Sequence, residues 1–204
     1  MVEHHYDPYP RLAPFYDGMA RALLLPFGGE RRVRRRALAE LDLRPGTRVT
    51  ELGCGTGSNT RLMVAAGAQV TAVDLSEPML ERARRKVPGA RFLKHDILAY
   101  RGPPAQRVLF AFVLHEMAPD IRRRALEAAR ANLEQGGLLG VLDFSAGARF
   151  PVAPFFHAYL RVAEPEVALG VLEGLPQELE RAGFFLRKRR TLCLGTAQML
   201  VASC

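Results

Sequence analysis

A chain of 204 residues with 49% hydrophobic and 25% charged residues has the composition of one folded domain, which excludes a disordered or fibrous protein. Its formal charge of +8 comes almost wholly from arginine, because lysine occurs only three times. We attribute this excess to a thermophile-like composition with few amide side chains, rather than to binding of nucleic acid, which clustered positive charge would also favour.

The three cysteines are widely separated and odd in number, so they predict neither a disulfide framework nor a metal site. No basic, apolar, small-residue signal pattern opens the sequence, and no apolar run approaches the roughly 20 residues of a membrane span. These features predict a cytoplasmic protein.

The amino-terminal part of the chain predicts two helices. Apolar residues recur at helical spacing from Arg11 to Phe27, and a second helix is predicted from Glu30 to Leu41. Five arginines occupy this second helix, and we expect them mostly on a solvated outer face rather than as a patch that binds phosphate or lipid headgroups. They are Arg31, Arg32, Arg34, Arg35 and Arg36.

Strands and helices alternate through the middle of the chain. The predicted strands span 48–52, 69–73, 90–95, 108–113 and 138–143, and the predicted helices span 59–66, 77–86 and 120–134. Such alternation implies right-handed crossovers and a mostly parallel sheet that is covered on both faces. An aromatic segment at 150–162, a helix at 177–182 and a closing hairpin formed by 184–194 and 197–203 follow. The predicted fold class is α/β.

A glycine-rich loop follows the first of these strands. Gly53, Gly55 and Gly57 are preceded by Glu51, and the dinucleotide fingerprint needs its third small residue one place later, at Ser58. Glycine allows positive φ and lets a ligand lie against the backbone. In an open α/β sheet, ligands bind at this carboxyl edge of the strands.

Two acidic residues end the next two strands. Asp74 is placed to accept hydrogen bonds from ribose hydroxyls, and Asp96 is placed to accept from an exocyclic amine. Aspartate also begins helices and forms turns, so either residue has a purely structural alternative.

Four segments together resemble the successive motifs of class I S-adenosylmethionine-dependent methyltransferases. They are residues 51–57, 73–80, 95–97 and 112–116. The resemblance covers about residues 45–145 and the terminal hairpin by pattern. It implies a Rossmann-like three-layer sandwich with a seven-stranded, mostly parallel sheet whose last strand is antiparallel. It also implies S-adenosylmethionine (SAM) as methyl donor and S-adenosylhomocysteine (SAH) as product.

The resemblance also assigns roles to individual residues. The glycine loop would lie under the methionine part of SAM with Glu51 near its amino group, while Asp74 would hold the ribose and Asp96 the adenine. The complete cofactor-binding set that the resemblance implies is Tyr16, Glu51, Gly53, Cys54, Gly55, Thr56, Gly57, Asn59, Asp74, Leu75, Met79, Asp96, Ile97 and Phe112.

Short motifs near the amino terminus, Tyr6-Asp7 and Leu12 to Asp17, resemble the opening of ubiquinone and menaquinone C-methyltransferases and of bacterial phospholipid N-methyltransferases. In those enzymes the amino-terminal helices cover the cofactor, which would bring Tyr16 to face it. The implied division of this single domain is a helical cover at 1–44, a cofactor-binding core at 45–143, a substrate or lid segment at 144–183 and the closing hairpin at 184–204.

A methyl group on a sulfonium is already activated, so a general base is needed only when the acceptor must lose a proton. His115 is the best-placed base, with Glu116 as the residue that orients it; the alternative is that both simply begin a loop and pack against the cofactor. Residues of the aromatic segment either wall an acceptor pocket or belong to the core. The predicted pocket residues are His115, Phe155, Phe156, His157 and Tyr159, with His157 a second candidate base.

The predicted function is methyl transfer to a small-molecule or lipid-like acceptor, with peripheral contact to a membrane left open and nucleic acid disfavoured. A nicotinamide-dependent oxidoreductase is the first alternative, because a glycine loop with Asp74 also suits that cofactor. The second is a nucleic-acid methyltransferase or binding module, and the third is a protein that retains the fold without catalysis. No metal is expected.

Overall fold

The computed structural model describes residues 18, 22, 24–151, 153, 154, 156 and 169–204, of which 169–173 are described by backbone only. The strands are β1 Arg48–Leu52, β2 Gln69–Asp74, β3 Arg91–Lys94, β4 Ala105–Ala111, β5 Leu133–Phe144, β6 Phe185–Leu192 and β7 Ala197–Ser203. The helices are α1 Glu30–Leu38, α2 Ser58–Ala65, α3 Glu77–Lys86, α4 Pro119–Ala131 and α5 Leu169–Arg181.

All seven strands form one sheet in the order β3-β2-β1-β4-β5-β7-β6. Strands β1 to β5 pair in parallel, and β7 inserts antiparallel between β5 and β6. This confirms the predicted seven-stranded sheet with an antiparallel last strand. The strand order reverses between β1 and β4, so the loops that follow these two strands diverge and leave a crevice at the carboxyl edge.

The alternating side chains of β4 show how the sheet is buried on both faces. Leu109 joins one apolar cluster together with residues of α1 and α2, whereas Val108 and Phe110 join the other with residues of α4 and α5. Because successive side chains point to opposite faces, an unbroken apolar run is what a strand covered on both sides requires. The two clusters are the interfaces between the central sheet and the helical layers on its two faces, which makes the fold a three-layer sandwich.

Several predicted element bounds were wrong. β5 begins at Leu133 rather than residue 138, because its polar start pairs with β4 across a register shift near Ala105. α4 accordingly ends at Ala131, before the predicted end at residue 134. α5 starts eight residues before the predicted start at 177 and runs through Pro176. Proline lacks a backbone N–H and is disfavoured in a helix interior, so the sequence predicts a helix that begins only after Pro176.

Candidate functional site

The glycine loop between β1 and α2 is packed on one side and open on the other. Gly53, Gly55 and Gly57 all have positive φ, at 79°, 51° and 78°. A Cβ at Gly53 would lie 2.6 Å from a methyl group of Val113, in the loop after β4, whereas a Cβ at Gly55 would meet none of the described residues within 4 Å. The backbone of Gly55 therefore faces open space in the crevice, as a loop that receives a ligand must.

Asp74, at the end of β2, closes this loop. Its Oδ2 accepts a hydrogen bond of 2.7 Å from the backbone N–H of Gly55, and its Oδ1 accepts one of 2.9 Å from that of Ser76. The carboxylate therefore lies beside the open face of the loop. The sequence prediction that Asp74 and the glycines form one site agrees with this placement.

Glu51 lies one residue before the end of β1 and is fully buried. Its Oε2 accepts from the hydroxyl of Thr60, while its Oε1 has no hydrogen-bond partner among the described residues. Burial raises the pKa of Glu51 to about 7. The hydrogen bond from Thr60, the positive charge of Arg34 and the side-chain amide of Asn59 each lower this pKa, but by less than burial raises it. A buried carboxylate oxygen without a donor is costly unless a donor from a ligand reaches it. The cationic amino group of a ligand in the crevice would supply that donor.

Arg34 is the exception to the prediction that the arginines of α1 lie mostly on a solvated outer face. Its side chain is buried, whereas the other four arginines of the helix are exposed. Its Nε donates to Glu30 at 2.8 Å and its Nη1 donates to Asn59 Oδ1 at 3.1 Å. The guanidinium also lies 5.4 Å from the ring centre of Phe112. Arg34 thus connects α1 to the start of α2 and brings a positive charge close to Glu51.

Phe112, directly after β4, has a left-handed backbone with φ of 58°. Its N–H donates to the carbonyl of Leu142 at 2.7 Å, which fixes the turn at the end of the strand. For a bulky residue this conformation costs on the order of 1–3 kcal/mol, and such strain is found preferentially at functional sites. The strained turn directs the chain towards the glycine loop.

His115 lies on a short 3₁₀ turn at Leu114–Glu116 and forms a buried pair with Asp143 near the end of β5. The distance from His115 Nδ1 to Asp143 Oδ1 is 2.6 Å, and Asp143 Oδ2 also accepts from the backbone N–H groups of Leu114 and His115. A carboxylate at Nδ1 holds the proton there and makes Nε2 the basic ring nitrogen. This is the arrangement of a general base with an orienting acid.

The prediction that Glu116 orients His115 was therefore wrong. Glu116 Oε1 is 3.8 Å from His115 Nε2, beyond hydrogen-bond distance, whereas Asp143 reaches the other nitrogen. Asp143 was not predicted from the sequence because its pairing with His115 joins the turn after β4 to the end of β5 across 28 positions. One signal was available: like Asp74, Asp143 is an acid near the carboxyl end of a buried strand.

An aromatic cluster lies against this pair. Phe144 packs on Phe112 and Phe156 with ring centres 5.2 and 5.7 Å apart, and on His115 at 4.7 Å. Phe156, a predicted pocket residue, is therefore close to His115. Four other predicted residues, Tyr16, Phe155, His157 and Tyr159, lie outside the described part of the chain.

Comparison with known proteins decides the family. A family model described as a methyltransferase domain matches residues 49–137. A demethylmenaquinone methyltransferase from Tropheryma whipplei (strain Twist) is 35% identical over 166 residues, which cover 78% of this chain and 66% of that protein. The chain belongs to the class I SAM-dependent methyltransferases.

Two further similarities bear on this family. A trans-aconitate 2-methyltransferase from Rhodopseudomonas palustris (strain HaA2) is 35% identical over 57% of this chain and 46% of that protein. Magnesium protoporphyrin IX methyltransferase from Synechocystis PCC 6803 with bound SAH shares the fold, with a TM-score of 0.69, 16% identity and coverage of 95% and 98% of the two chains. The chain spans 66% and 46% of the lengths of the two relatives. None of these similarities supports a nicotinamide oxidoreductase.

The remaining residues that the methyltransferase resemblance assigned to the adenine lie after β2 and β3. Leu75 is 49% exposed, whereas Met79 on α3 is buried. Asp96 is exposed and its Oδ1 accepts from the backbone N–H of Leu98 at 2.9 Å, so it forms a turn, and Ile97 beside it is half-buried. The exposed Leu75 and Asp96 leave the outer part of this methyltransferase crevice open to solvent.

Within the loop of this methyltransferase, Cys54 and Thr56 are both buried. Burial raises the pKa of the Cys54 thiol well above its ordinary value, with the carboxylates of Glu51 and Asp74 adding to the effect, so Cys54 is a poor nucleophile. The described residues hold no cluster of three or more metal-ligating side chains, and no described helix is both long and apolar enough to cross a membrane.

Proposed function

We propose that this chain binds SAM in the crevice between β1 and β4 and transfers its methyl group to an apolar, ring-containing small molecule of the quinone-precursor kind. One observation carries the choice of acceptor: the buried pair of His115 and Asp143 lies against an aromatic cluster at the carboxyl edge of the sheet. A base is useful only for an acceptor that must lose a proton, and aromatic walls suit an apolar ring.

The residues at the crevice fit SAM. Glu51 Oε1 would accept from the amino group of its methionine part, and the open face of Gly55 leaves room for that part to lie on the backbone. Asp74 would accept from the ribose hydroxyls, and Asp96 with Ile97 would meet the adenine. The ammonium and sulfonium charges of SAM would favour the ionised form of Glu51, whose pKa of about 7 allows ionisation near neutral pH.

SAM supplies a methyl group that is already activated by the positive sulfur. The residues of this chain therefore have to align the acceptor with that methyl group and exclude water. His115 Nε2 would take the proton from a hydroxyl of the acceptor, and the electron pair left on that oxygen would form the new bond to methyl, either at the oxygen or, through the ring, at the neighbouring carbon, which would then lose its own proton. The electron pair of the broken carbon–sulfur bond would stay on the sulfur of the product SAH. Asp143 would stabilise the imidazolium that forms.

The site favours a phenol-like or quinol-like acceptor over a polycarboxylate. A carboxylate is already ionised at neutral pH and needs no base, and it would call for cationic side chains rather than Phe112, Phe144 and Phe156. The first relative named above is a demethylmenaquinone methyltransferase, which agrees with this choice, whereas the second is a trans-aconitate methyltransferase. The agreement supports the proposal for this chain.

The test is transfer of labelled methyl from SAM to each of two acceptors under the same conditions, demethylmenaquinone in its reduced form and trans-aconitate. We expect label in the reduced quinone only, and at least a tenfold lower rate when the quinone is left oxidised, because only the reduced form has a hydroxyl proton for His115. Transfer to trans-aconitate alone would overturn the proposed acceptor class. Failure of the protein to bind SAM would overturn the proposal as a whole.

A further inference from the structure

Arg122 on α4 is the largest fully buried side chain of the described residues, although it carries a charge. Its Nε and Nη2 donate to the two carboxylate oxygens of Glu178 on α5, the latter at 2.9 Å. Its Nη1 donates to the backbone carbonyls of Met117 at 2.6 Å and Leu114 at 3.3 Å. One guanidinium thus joins α4, α5 and the turn on which His115 lies.

This turn is held from two sides. Asp143 accepts the backbone N–H groups of Leu114 and His115, while Arg122 donates to the carbonyl groups of Leu114 and Met117. Residues 114 and 117 flank His115 in sequence, so the two sets of hydrogen bonds leave the backbone at His115 little freedom. Asp143 fixes the ring through Nδ1, and Arg122 fixes the part of the chain from which the ring projects.

An ion pair between a fully buried Arg122 and a Glu178 side chain that is only 21% exposed is an expensive way to tie two helices together, because the charges lose most of their hydration. Replacing such a pair by apolar side chains of similar volume is often neutral or stabilising, so stability alone gives α4 and α5 little reason to keep Arg122 and Glu178. The planar guanidinium, however, offers five donors in a fixed geometry, which an apolar residue or lysine cannot reproduce. The two hydrogen bonds from Arg122 Nη1 to the backbone carbonyls beside His115 are not needed for an ion pair with Glu178.

We infer that Arg122 is a positioning residue for the methyl-transfer reaction: through the carbonyls of Leu114 and Met117 it holds the turn so that His115 keeps its contact with Asp143 and presents Nε2 to the acceptor. The inference rests on the proposed role of His115 as base.

Two variants separate positioning from simple attachment of α4 to α5. The double variant Arg122→Met/Glu178→Met removes the charges of both partners together, so it leaves no unpaired charge and is expected to fold, but it also removes both hydrogen bonds from Nη1 to the turn. Glu178→Gln removes the ion pair while Arg122 keeps its contacts with Met117 and Leu114. Arg123→Ala, at an exposed neighbouring position paired with Glu127, serves as the surface control.

The first readout needs no substrate. Nitrogen NMR of ¹⁵N-histidine-labelled protein reports the tautomer of His115, assigned by loss of its signals in His115→Asn. Wild type, Glu178→Gln and Arg123→Ala are expected to show the Nδ1–H tautomer, and the double variant a mixture of tautomers. An unchanged tautomer in a folded double variant would overturn the inference, whether or not the protein methylates any acceptor tried.

The second readout is kinetic. The double variant is expected to bind SAM within about threefold of wild type and to keep its acceptor KM, while its kcat falls by roughly tenfold or more, the size expected for a misplaced base. Glu178→Gln should keep kcat within about threefold. Equal losses in Glu178→Gln and in the double variant would mean that Arg122 acts only by joining α4 to α5, and would overturn the inference. Absence of methyl transfer in wild type would instead contradict the proposed function.

Discussion

Replacement of Glu51 by glutamine should stabilise the ligand-free protein above neutral pH and weaken its binding of SAM. Burial raises the pKa of this carboxyl from 4.5 to about 7 in the folded protein. A carboxyl with a raised pKa contributes its full stability only below its unfolded pKa, and that contribution is lost as pH rises through the folded pKa. At roughly 1.4 kcal/mol per pH unit, the loss between pH 4.5 and pH 8 is about 3 kcal/mol.

Glutamine does not titrate, so the free energy of unfolding of Glu51→Gln minus that of wild type should rise by about 3 kcal/mol over this range. The measurement is urea unfolding followed by circular dichroism at several pH values without SAM. Glu127→Gln, at an exposed ion pair, is the control and should change the difference by less than about 1 kcal/mol. A difference that stays constant or falls with pH would refute the assignment of Glu51 as a buried carboxyl that awaits a cationic ligand.

Three further changes test other parts of the site. Arg34→Met should raise the pKa of Glu51 further, because the positive charge of Arg34 lowers that pKa. The measurement is the midpoint of the pH-dependent stability curve, which should move to higher pH; an unchanged or lower midpoint would contradict the prediction. Gly55→Ala should weaken SAM binding at least tenfold in titration calorimetry, since its methyl group enters the open crevice. Gly46→Ala is the control: Gly46, before β1, also has positive φ, at 84° against 51° for Gly55, and a Cβ there also meets none of the described residues within 4 Å. Both variants should lower the melting temperature by a few degrees, but Gly46→Ala should leave SAM binding unchanged. Equal SAM affinity in both alanine variants would argue against the crevice. Asp143→Asn should lower kcat by roughly a hundredfold with little change in SAM affinity, measured by steady-state kinetics and calorimetry, whereas an unchanged kcat would remove Asp143 from the mechanism.

The fold was readily predicted from the sequence because burial on both faces leaves a strong local signal. Strand β7 and helix α3 have the predicted bounds, since apolar periodicity and flanking Gly or Pro define them locally. The start of β5 was missed because its pairing with β4, and not its own composition, extends the strand. The order of strands at the closing hairpin, with β7 rather than β6 beside β5, likewise depends on long-range pairing.

The site was predicted in part. The loop at Gly53–Gly57 and Asp74 meet as expected because both follow neighbouring strands. The prediction of mostly outward arginines on α1 did not single out Arg34, although Val33, Ala37 and Leu38 define the buried stripe of the helix and position 34 falls on it. The partner of His115 could not be found from local sequence, since the nearest acid in the chain is Glu116 and the nearest acid in space is Asp143.

Single-turnover methyl transfer from prebound SAM, compared between wild type and His115→Asn, tests the central proposal most directly. Both proteins should bind SAM with similar affinity, because His115 contacts Asp143 and Phe144 rather than the glycine loop. Wild type should pass labelled methyl to the reduced quinone, and His115→Asn should do so at least a hundredfold more slowly, the loss expected for removal of a general base. Equal transfer rates in the two proteins would contradict the proposed role of His115 as the general base.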